Sequence, residues 1–238
     1  MAVNINTVYQ RVLAIANKEQ RGYITPQEFN ILANQAQMDL FEQYFYDKNQ
    51  FGRARGNKSN YADPIKILDE KISLFEVYET TLSTFTNSHH ILPADLYRLS
   101  NIKLGGVVCD YISVKDFNDV LDHPLLRPHA NRPVYIKING GLKVYTNATD
   151  LTASQVTSTS TVTCDYIKTP TDVSWGYNVI LGKAIYNSST STNFEMHESE
   201  EVNLINRILV LAGISIKSVP LYQAAAAEEV KDIQQEKQ

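Results

Sequence analysis

Residues 198–213 read ESEEVNLINRILVLAG, a stretch that predicts an α-helix with a defined start and a defined end. Acidic residues at positions 198, 200 and 201 suit the positive N-terminal end of the helix dipole. An apolar stripe follows at helical spacing, and Gly213 has the position of a residue that ends a helix. The stripe comprises Val202, Ile205, Ile208, Leu209 and Ala212. We therefore predict a helix that packs one face against the rest of the chain.

A further helix is predicted to close the chain. Pro220 is placed to begin it, and the pattern continues toward Ile233. The run Ala224–Ala227 presents only small side chains, which allow another helix to approach closely. The last residues are charged and polar, as is typical of a solvated tail. We expect this helix pair, residues 196–238, to pack back on helices at the start of the chain.

Two helices are also predicted at the start of the chain. Asn6 or Thr7 is placed to cap the first of them. The second begins with Thr25-Pro26-Gln27-Glu28, a capping box whose acidic residue reaches back to the threonine and whose proline occupies the first helical position. Its apolar face is formed by Phe29, Leu32, Ala33, Ala36, Leu40 and Tyr44. These helices and the loop after them make up a helical region, residues 1–80.

Strand signals dominate residues 81–195. The clearest is VYIKINGGLKVY, residues 134–145, in which alternating apolar residues flank an Asn-Gly-Gly turn. Residues 102–112 repeat this pattern more weakly around Gly105-Gly106. Residues 146–163 are rich in Ser and Thr and are predicted to be a loop that leads into a strand. Helices at both ends of a strand-rich middle predict an α+β fold in a single subunit.

The composition fits a globular protein with a sizeable core. The chain has 238 residues, of which 43% are hydrophobic and 20% charged. Its net charge of −4 and pI near 5.7 argue against reading of a DNA sequence, which needs a basic face, but not against a channel through which DNA passes. The N-terminus lacks the pattern of a signal peptide, and no apolar run reaches the ~20 residues of a membrane helix. We expect a soluble protein made in a reducing cytoplasm, with Cys109 and Cys164 as buried free thiols.

The segment after the second helix combines basic residues with Gly and Asn, a composition typical of a loop. Its cations are Lys48, Arg53, Arg55 and Lys58. Arg and Lys bind phosphate without reading a base sequence. This basic loop, residues 48–64, is therefore a candidate contact for a partner protein or for DNA. The alternative is a loop that is simply solvated.

No pattern in the sequence points to catalysis. The histidines, at positions 89, 90, 123, 129 and 197, occur in none of the spacings that bind zinc. His89 and His90 are adjacent, so on a strand their side chains point to opposite faces and do not serve one site. The Gly-Gly pairs fit hairpin turns, because neither a helix nor a Lys-Thr pair follows them. We predict no catalytic residue, no metal site and no cofactor.

Several segments, taken together, resemble virion structural proteins of tailed phages. They are NINTVYQ (4–10), GYITPQEFN (22–30), DYIKTP (165–170), WGY (175–177), NFE (193–195) and LAGIS (211–215). With this set the chain is similar to the head-to-tail connector ring proteins, or tail-tube adaptors, of crAss-like and related short-tailed bacteriophages. The likeness covers most of the chain and is best at residues 3–46 and 162–236.

The resemblance implies a non-catalytic protein that assembles into a homo-oligomeric ring, a dodecamer like the portal protein beneath it. The ring would extend the channel between capsid and tail, retain the packaged genome and pass double-stranded DNA on infection. Its partners would be the portal protein and neighbouring ring or tail proteins. Its location would be the virion, after assembly in the host bacterial cytoplasm. A cyclic head-to-tail interface is heterologous, so one surface must match a different surface of the next subunit.

Two other functions fit parts of the sequence. A tail-associated receptor- or carbohydrate-binding module would use the tyrosine-rich β-region, since the chain holds 14 Tyr and 1 Trp. An enzyme outside the virion would need a pocket with convergent titratable groups. An exposed aromatic cluster in a sugar-binding monomer would favour the first of these over a ring.

Overall fold

The computed structural model describes residues 2–18, 24–53, 64–123, 125–149, 152–156, 161–215 and 227. The chain divides into a helical unit, formed by Met1–Leu74 with Pro170–Gln238, and a β unit, formed by Phe75–Thr169. Helices and mixed sheets in this arrangement confirm the α+β fold. The unit boundaries differ from those predicted at residues 80 and 195. The strand that begins at Glu76 pairs inside the β unit, and the segment that follows Thr169 belongs with the helices.

The described part of the chain contains helices and strands that are numbered in chain order. The α-helices are α1 (Ile5–Lys18), α2 (Pro26–Arg53), α3 (Pro64–Ser73), α4 (Phe117–Asp122) and α5 (Glu201–Ser215). The strands are β1 (Glu76–Thr81), β2 (Phe85–Thr86), β3 (His89–Ile91), β4 (Leu96–Leu104), β5 (Val107–Val108), β6 (Asp110–Tyr111), β7 (Val134–Ile138), β8 (Gly141–Thr149), β9 (Thr152–Gln155), β10 (Val162–Lys168), β11 (Tyr177–Ile180) and β12 (Lys183–Tyr186). None of the described helices has the length and apolar character needed to cross a membrane.

Helix α1 begins after Asn4, whose side-chain oxygen accepts hydrogen bonds from the backbone N–H groups of Asn6 (2.9 Å) and Thr7 (3.2 Å). The cap is therefore Asn4, and the prediction of Asn6 or Thr7 is wrong. Tertiary contacts set this earlier start, because Val3 forms a β-bridge with Phe194 just before the helix.

Helix α2 begins with the predicted capping box. The backbone N–H of Thr25 donates to Glu28 Oε2 at 2.9 Å, and the backbone N–H of Glu28 donates to Thr25 Oγ1 at 3.3 Å. The predicted apolar face is buried except for Leu32, which is half-buried. The helix continues to Arg53, so the predicted loop 48–64 is wrong for residues 48–53, and residues 54–63 lie outside the described part of the chain. Asp47 is buried and Lys48 pairs with Asp69 of α3, so tertiary contacts accompany the longer helix.

Helix α5 packs against α1 and α2. Four of its predicted stripe residues are buried, namely Ile205, Ile208, Leu209 and Ala212. Val202 is exposed, so its assignment to the buried stripe is wrong. The helix also continues past Gly213 to Ser215, because this glycine is itself buried in a packed turn and does not end the helix. The predicted closing helix, 220–233, lies outside the described residues apart from residue 227.

The described residues of the β unit form two sheets. One is antiparallel with strand order β1-β10-β4-β5, and the other has the order β2-β3-β8-β7-β6 with β9 beside β8. Strands β6 and β7 pair in parallel. The residues of its buried core are Leu82, Ile102, Cys109, Tyr135, Leu142, Val144, Val156, Val162, Cys164 and Tyr166. Both cysteines are free and buried, which confirms that prediction.

Both predicted hairpin turns are confirmed. Strands β7 and β8 pair around Asn139-Gly140, and Gly140 has φ +75°. Strands β4 and β5 pair around Gly105 and Gly106, which have φ +56° and +88°. The Gly105-Gly106 turn has the positive φ at both central positions that defines type I′, whereas only Gly140 has positive φ in the Asn139-Gly140 turn. Glycine adopts positive φ without strain. The predicted loop at 146–163 is wrong in part. Strand β8 continues to Thr149, and β9 (Thr152–Gln155) pairs with it in the antiparallel direction.

Candidate interaction surface

The structure places two of the four residues predicted to contact a partner on α2. Lys48 lies on α2, with its Nζ 2.6 Å from Asp69 Oδ1 on α3. Arg53 is the last residue of α2, and its side chain is outside the described part of the structure. Arg55 and Lys58 lie outside the described residues altogether. The only one of the four whose side chain is described is therefore paired with an acidic group of its own subunit.

A row of amide side chains on α2 holds the extended segment that precedes β11. Asn34 accepts a hydrogen bond from the Val173 N–H (2.7 Å) and donates one to the Val173 carbonyl (3.0 Å). Asn30, one turn earlier, accepts from the Trp175 N–H at 2.7 Å. Gln37, on the same helix face, donates to another carbonyl of this segment at 2.9 Å. These side chains satisfy the backbone groups that a neighbouring strand would otherwise pair.

Trp175 fixes the base of the hairpin formed by β11 and β12. Its indole Nε1 donates to Asn6 Oδ1 at 3.0 Å, and its ring centroid lies 4.4 Å from that of Tyr9. The rings of Tyr177 and Tyr186, a cross-strand pair, lie 5.8 Å and 5.7 Å from the Trp175 ring. Aromatic pairs at such distances stabilise beyond the area that they bury. The hairpin base is therefore tied to the helical unit's core.

Gly176 completes this base because no larger residue fits there. A Cβ at this position would lie 2.1 Å from Thr190 Oγ1 and 2.7 Å from the Thr190 carbonyl carbon. The Gly176 N–H donates to Ser191 Oγ at 2.9 Å, and its carbonyl accepts from the Asn187 N–H at 2.8 Å. The two ends of the hairpin are thus joined by hydrogen bonds across the glycine.

The hairpin of β11 and β12, residues 177–186, ends in exposed apolar side chains, and we name it the apolar hairpin. Its turn residues Leu181 and Gly182 have φ +51° and +75°, the backbone of a type I′ turn. Leu181 is 98% exposed. The exposed large apolar residues of the hairpin are Val179, Ile180, Leu181 and Ile185. By the strand register, Ile180 and Ile185 share one face of the hairpin with Lys183, whereas Val179 lies on the other face. Exposed apolar residues grouped on one face in this way mark interaction sites.

The apolar hairpin has no distinctive signal in the amino-acid sequence. Its available signal was a short apolar run that ends in Leu181-Gly182 and resumes at Ala184-Ile185, between two tyrosines. A run of this length is equally consistent with a buried strand. Only the exposure of these side chains in the folded unit identifies them as a surface.

A separate polar cluster in the β unit supports a bulge in β1. Glu79 has φ +53° at the bulge, and its N–H donates to Asp165 Oδ1 at 2.9 Å. Lys103 Nζ lies 3.0 Å from Asp165 Oδ2 and 4.0 Å from the ring centroid of Tyr78. The contact with Tyr78 raises the pKa of Lys103, against the effect of burial, and Asp165 and Glu79 raise it further. The cluster therefore braces the edge of the sheet as charged pairs.

The cysteine thiols are poorly placed for nucleophilic chemistry. Burial raises the pKa of Cys109 to about 12 and that of Cys164 to about 11. Both thiols therefore stay protonated at neutral pH, where a thiolate would be the reactive form. Across the described residues, no group of three His, Cys, Asp or Glu side chains is arranged to hold a metal ion.

No protein-family model matches this chain, and no curated protein matches it. A function assigned to it therefore depends on its own residues.

Proposed function

We propose that this chain is a non-catalytic virion structural protein that forms a ring in the portal–tail, or head-to-tail connector, assembly of a tailed bacteriophage. The ring extends the DNA channel and serves genome retention and ejection. The observation that carries the proposal is the apolar hairpin, whose exposed tip stands on a base fixed by Trp175. A rigid exposed apolar element suits a subunit that is completed by its neighbours. The resemblance of residues 3–46 and 162–236 supplies the class of assembly.

The partners follow from the same proposal. The subunit joins a homo-oligomeric ring, a dodecamer, and contacts the portal protein and the neighbouring ring or tail proteins. Double-stranded DNA passes through without sequence recognition, which agrees with a net charge of −4. The protein is located in the virion and is assembled in the host bacterial cytoplasm.

Mass measurement and electron microscopy of the purified full-length chain, alone and mixed with the portal protein of its phage, test this function. We expect closed rings that stack coaxially on the portal. A chain that stays monomeric in both samples, and that joins no neighbouring tail component, would contradict the proposal.

A tail-associated receptor- or carbohydrate-binding module is the second candidate, and Tyr111 favours it. Its ring is exposed, and Lys137 Nζ lies 5.6 Å from the ring centroid. Asp110, next to it, is paired with Arg132 at 2.8 Å. An aromatic face beside charged groups is a platform on which a sugar can stack. Two results together would support this candidate over the first: the wild-type chain forms no ring, and it binds a glycan that the Tyr111→Ala variant no longer binds.

A further inference from the structure

The tip of the apolar hairpin is unfavourable for an isolated subunit in two respects. Leucine is a poor residue for the left-handed backbone at position 181, where type I′ turns favour Asn or Asp before Gly. The same side chain is almost wholly exposed to water. An observed backbone outlier of this kind points to a functional constraint at that position. Burial of Leu181 against another molecule would remove the exposure, and the binding energy gained would compensate for the backbone strain.

Edge strand β1 and the apolar hairpin differ in the features that prevent unwanted strand pairing. Strand β1, at the edge of its sheet, carries a bulge and the exposed acids Glu76 and Glu79. Bulges and charges protect sheet edges from adventitious pairing. The apolar hairpin has a regular register without a bulge, and its only charged residue is Lys183. Its surface therefore lacks the protection that the same chain gives to β1.

A surface with the complementary character lies on α3. Ile67 and Glu70 are three positions apart, so they lie on the same side of this helix, and Leu74 follows its last residue. All three side chains are exposed. The span from Ile67 to Leu74 is about 10 Å along a helix axis. Three residues of a strand, the length of the hairpin tip, span about the same distance.

We propose that the apolar hairpin of one copy binds the outer side of α3 in a second copy, with Lys183 facing Glu70. The apolar side chains of the tip then lie against Ile67 and Leu74, and the lysine and glutamate give the contact its direction. Both surfaces belong to the helical unit, so each copy presents both of them. This inference rests on the proposed ring function, for which it names the contact between neighbouring subunits.

The contact is heterologous, because a hairpin meets a helix and not another hairpin. Each bound copy therefore leaves one hairpin and one helix surface free for the next copy. A single contact of this size lies at the small end of specific interfaces. In a closed ring each subunit is held by two such contacts at once. The ring is therefore much more stable than an isolated pair of subunits.

A charge exchange tests the pairing. The full-length variants Lys183→Glu, Glu70→Lys and the double exchange are compared with the wild-type chain, in the condition in which the wild type forms rings, alone or on portal. Each single variant is expected to raise the protein concentration needed for half-assembly by about tenfold or more, through like-charge repulsion. The double exchange is expected to return it to within about threefold of the wild type, as a restored ion pair would. Lys115→Glu, an exposed lysine of the β unit, is the charge-matched control and should leave assembly unchanged.

Leu181→Asn provides a variant that keeps the fold. Asparagine suits the turn backbone, so loss of assembly in this variant cannot be attributed to unfolding of the hairpin. Circular dichroism should be unchanged while rings are lost. Rings that form normally with Leu181→Asn and Lys183→Glu overturn the inference and leave the ring function intact.

Three other outcomes would identify which part of the proposal is wrong. Loss of assembly in both single variants without recovery in the double exchange overturns α3 as the receiving surface. Variants that form rings normally but no longer bind portal show that the portal, not a second copy, covers the hairpin. A wild-type chain that forms no ring under any condition removes the proposed function together with the inference.

Discussion

Leu181 is held in a conformation that costs an L-amino acid roughly 1–2 kcal/mol relative to the right-handed backbone. Its φ is +51°, and the residue after it, Gly182, shares the positive φ. Asparagine tolerates this conformation better than leucine. The residue at the most exposed point of the apolar hairpin is therefore one that neither the turn nor the solvent favours.

Replacement of this leucine should make the isolated subunit more stable. We expect Leu181→Asn to raise the free energy of unfolding by about 0.5–1 kcal/mol, because the turn backbone is relieved and an exposed apolar side chain is removed. Urea unfolding followed by circular dichroism measures the change. Leu125→Asn is the matched control, since Leu125 is 95% exposed and has no positive φ. A loss of stability in Leu181→Asn would show that the leucine packs within its own subunit.

His90 is a buried ionisable residue in the β unit, on β3 between β2 and β8. Its ring centroid lies 4.9 Å from that of Phe85 in an edge-on arrangement. No hydrogen bond of normal geometry reaches either ring nitrogen from the described residues. Burial lowers the pKa of His90 below 6.5, the backbone of Leu82 and Val156 opposes this in part, and the charge of His89 adds to it.

The lowered pKa of His90 predicts acid sensitivity with a definite sign. As the pH falls through 6.5, the unfolded chain binds the proton before the folded chain does. Stability is therefore full above 6.5 and falls as the pH is lowered toward the folded-state pKa. We expect His90→Phe to reduce this loss in urea unfolding at a series of pH values, while His123→Gln, at an exposed histidine, retains it. An unchanged pH profile in His90→Phe would contradict the assignment.

At the scale of elements, one face of helix α2 packs in the core and another binds the segment that leads to β11. One face carries the apolar residues that pack in the helical unit. The other carries Asn30, Asn34 and Gln37, which hydrogen-bond the segment leading to β11. This arrangement positions Trp175, and through it the apolar hairpin. The position of the hairpin base therefore depends on amide residues of a helix that is distant in sequence.

Loss of one amide should loosen the hairpin base. In Asn34→Ala the buried N–H and carbonyl of Val173 both lose their partner, and an unsatisfied buried group costs about 1–3 kcal/mol. We expect a decrease in unfolding free energy of about that size, and faster hydrogen exchange at the amides of residues 173–177. Gln35→Ala, an exposed neighbour on the same helix, should change stability by less than about 0.5 kcal/mol. Equal exchange rates in wild type and Asn34→Ala would rule out the amide row as the support.

At the scale of the whole molecule, the β unit is an insertion within the helical unit. The chain leaves the helical unit after Leu74 and returns to it at Pro170. The first and last strands of the β unit, β1 and β10, pair with each other, and the Lys168 N–H donates to the Phe75 carbonyl at 2.9 Å. Its two ends are therefore adjacent, as is common for inserted domains.

A unit with adjacent ends and its own buried core should fold when it is isolated. We expect residues 75–169, expressed alone, to give a cooperative urea transition and dispersed amide resonances in NMR spectra, because the core of this unit is made of its own residues. A matched fragment that lacks β10, residues 75–161, should not fold, since β10 pairs with both β1 and β4. Collapsed amide resonances in the longer fragment would refute independent folding.

The basic segment gives a second prediction at this scale. Charge reversal at Arg53 and Arg55 should reduce the yield of assembled particles, because repulsion replaces attraction at a partner or phosphate contact. Lys48→Ala is the comparison, since this lysine already pairs with Asp69 and an exposed pair contributes at most about 1 kcal/mol to stability. Unchanged particle yield and infectivity after reversal of both arginines would exclude the segment as a contact.

The amino-acid sequence by itself determined the features that depend on neighbours within a few positions. The capping box of Thr25 and Glu28 and the turn at Asn139-Gly140 are of this kind, because a cap or a tight turn is closed by hydrogen bonds across two to four residues. The α+β class follows from the periodicity of such segments. The resemblance to phage connector proteins stays a prediction from the sequence, and the proposed ring rests on it.

The tertiary structure decided what depends on residues far apart. Asp165 receives the Glu79 N–H across the β unit, and Asn34 holds Val173 across the helical unit, so neither contact has a local signal. The extension of α2 past residue 48 and the burial of Gly213 likewise follow from packing that overrides local preference. The apolar hairpin shows the difference most directly. A short apolar run fits a buried strand as well as a surface, and only the folded unit, which leaves Leu181 exposed, makes it a candidate for binding a neighbour.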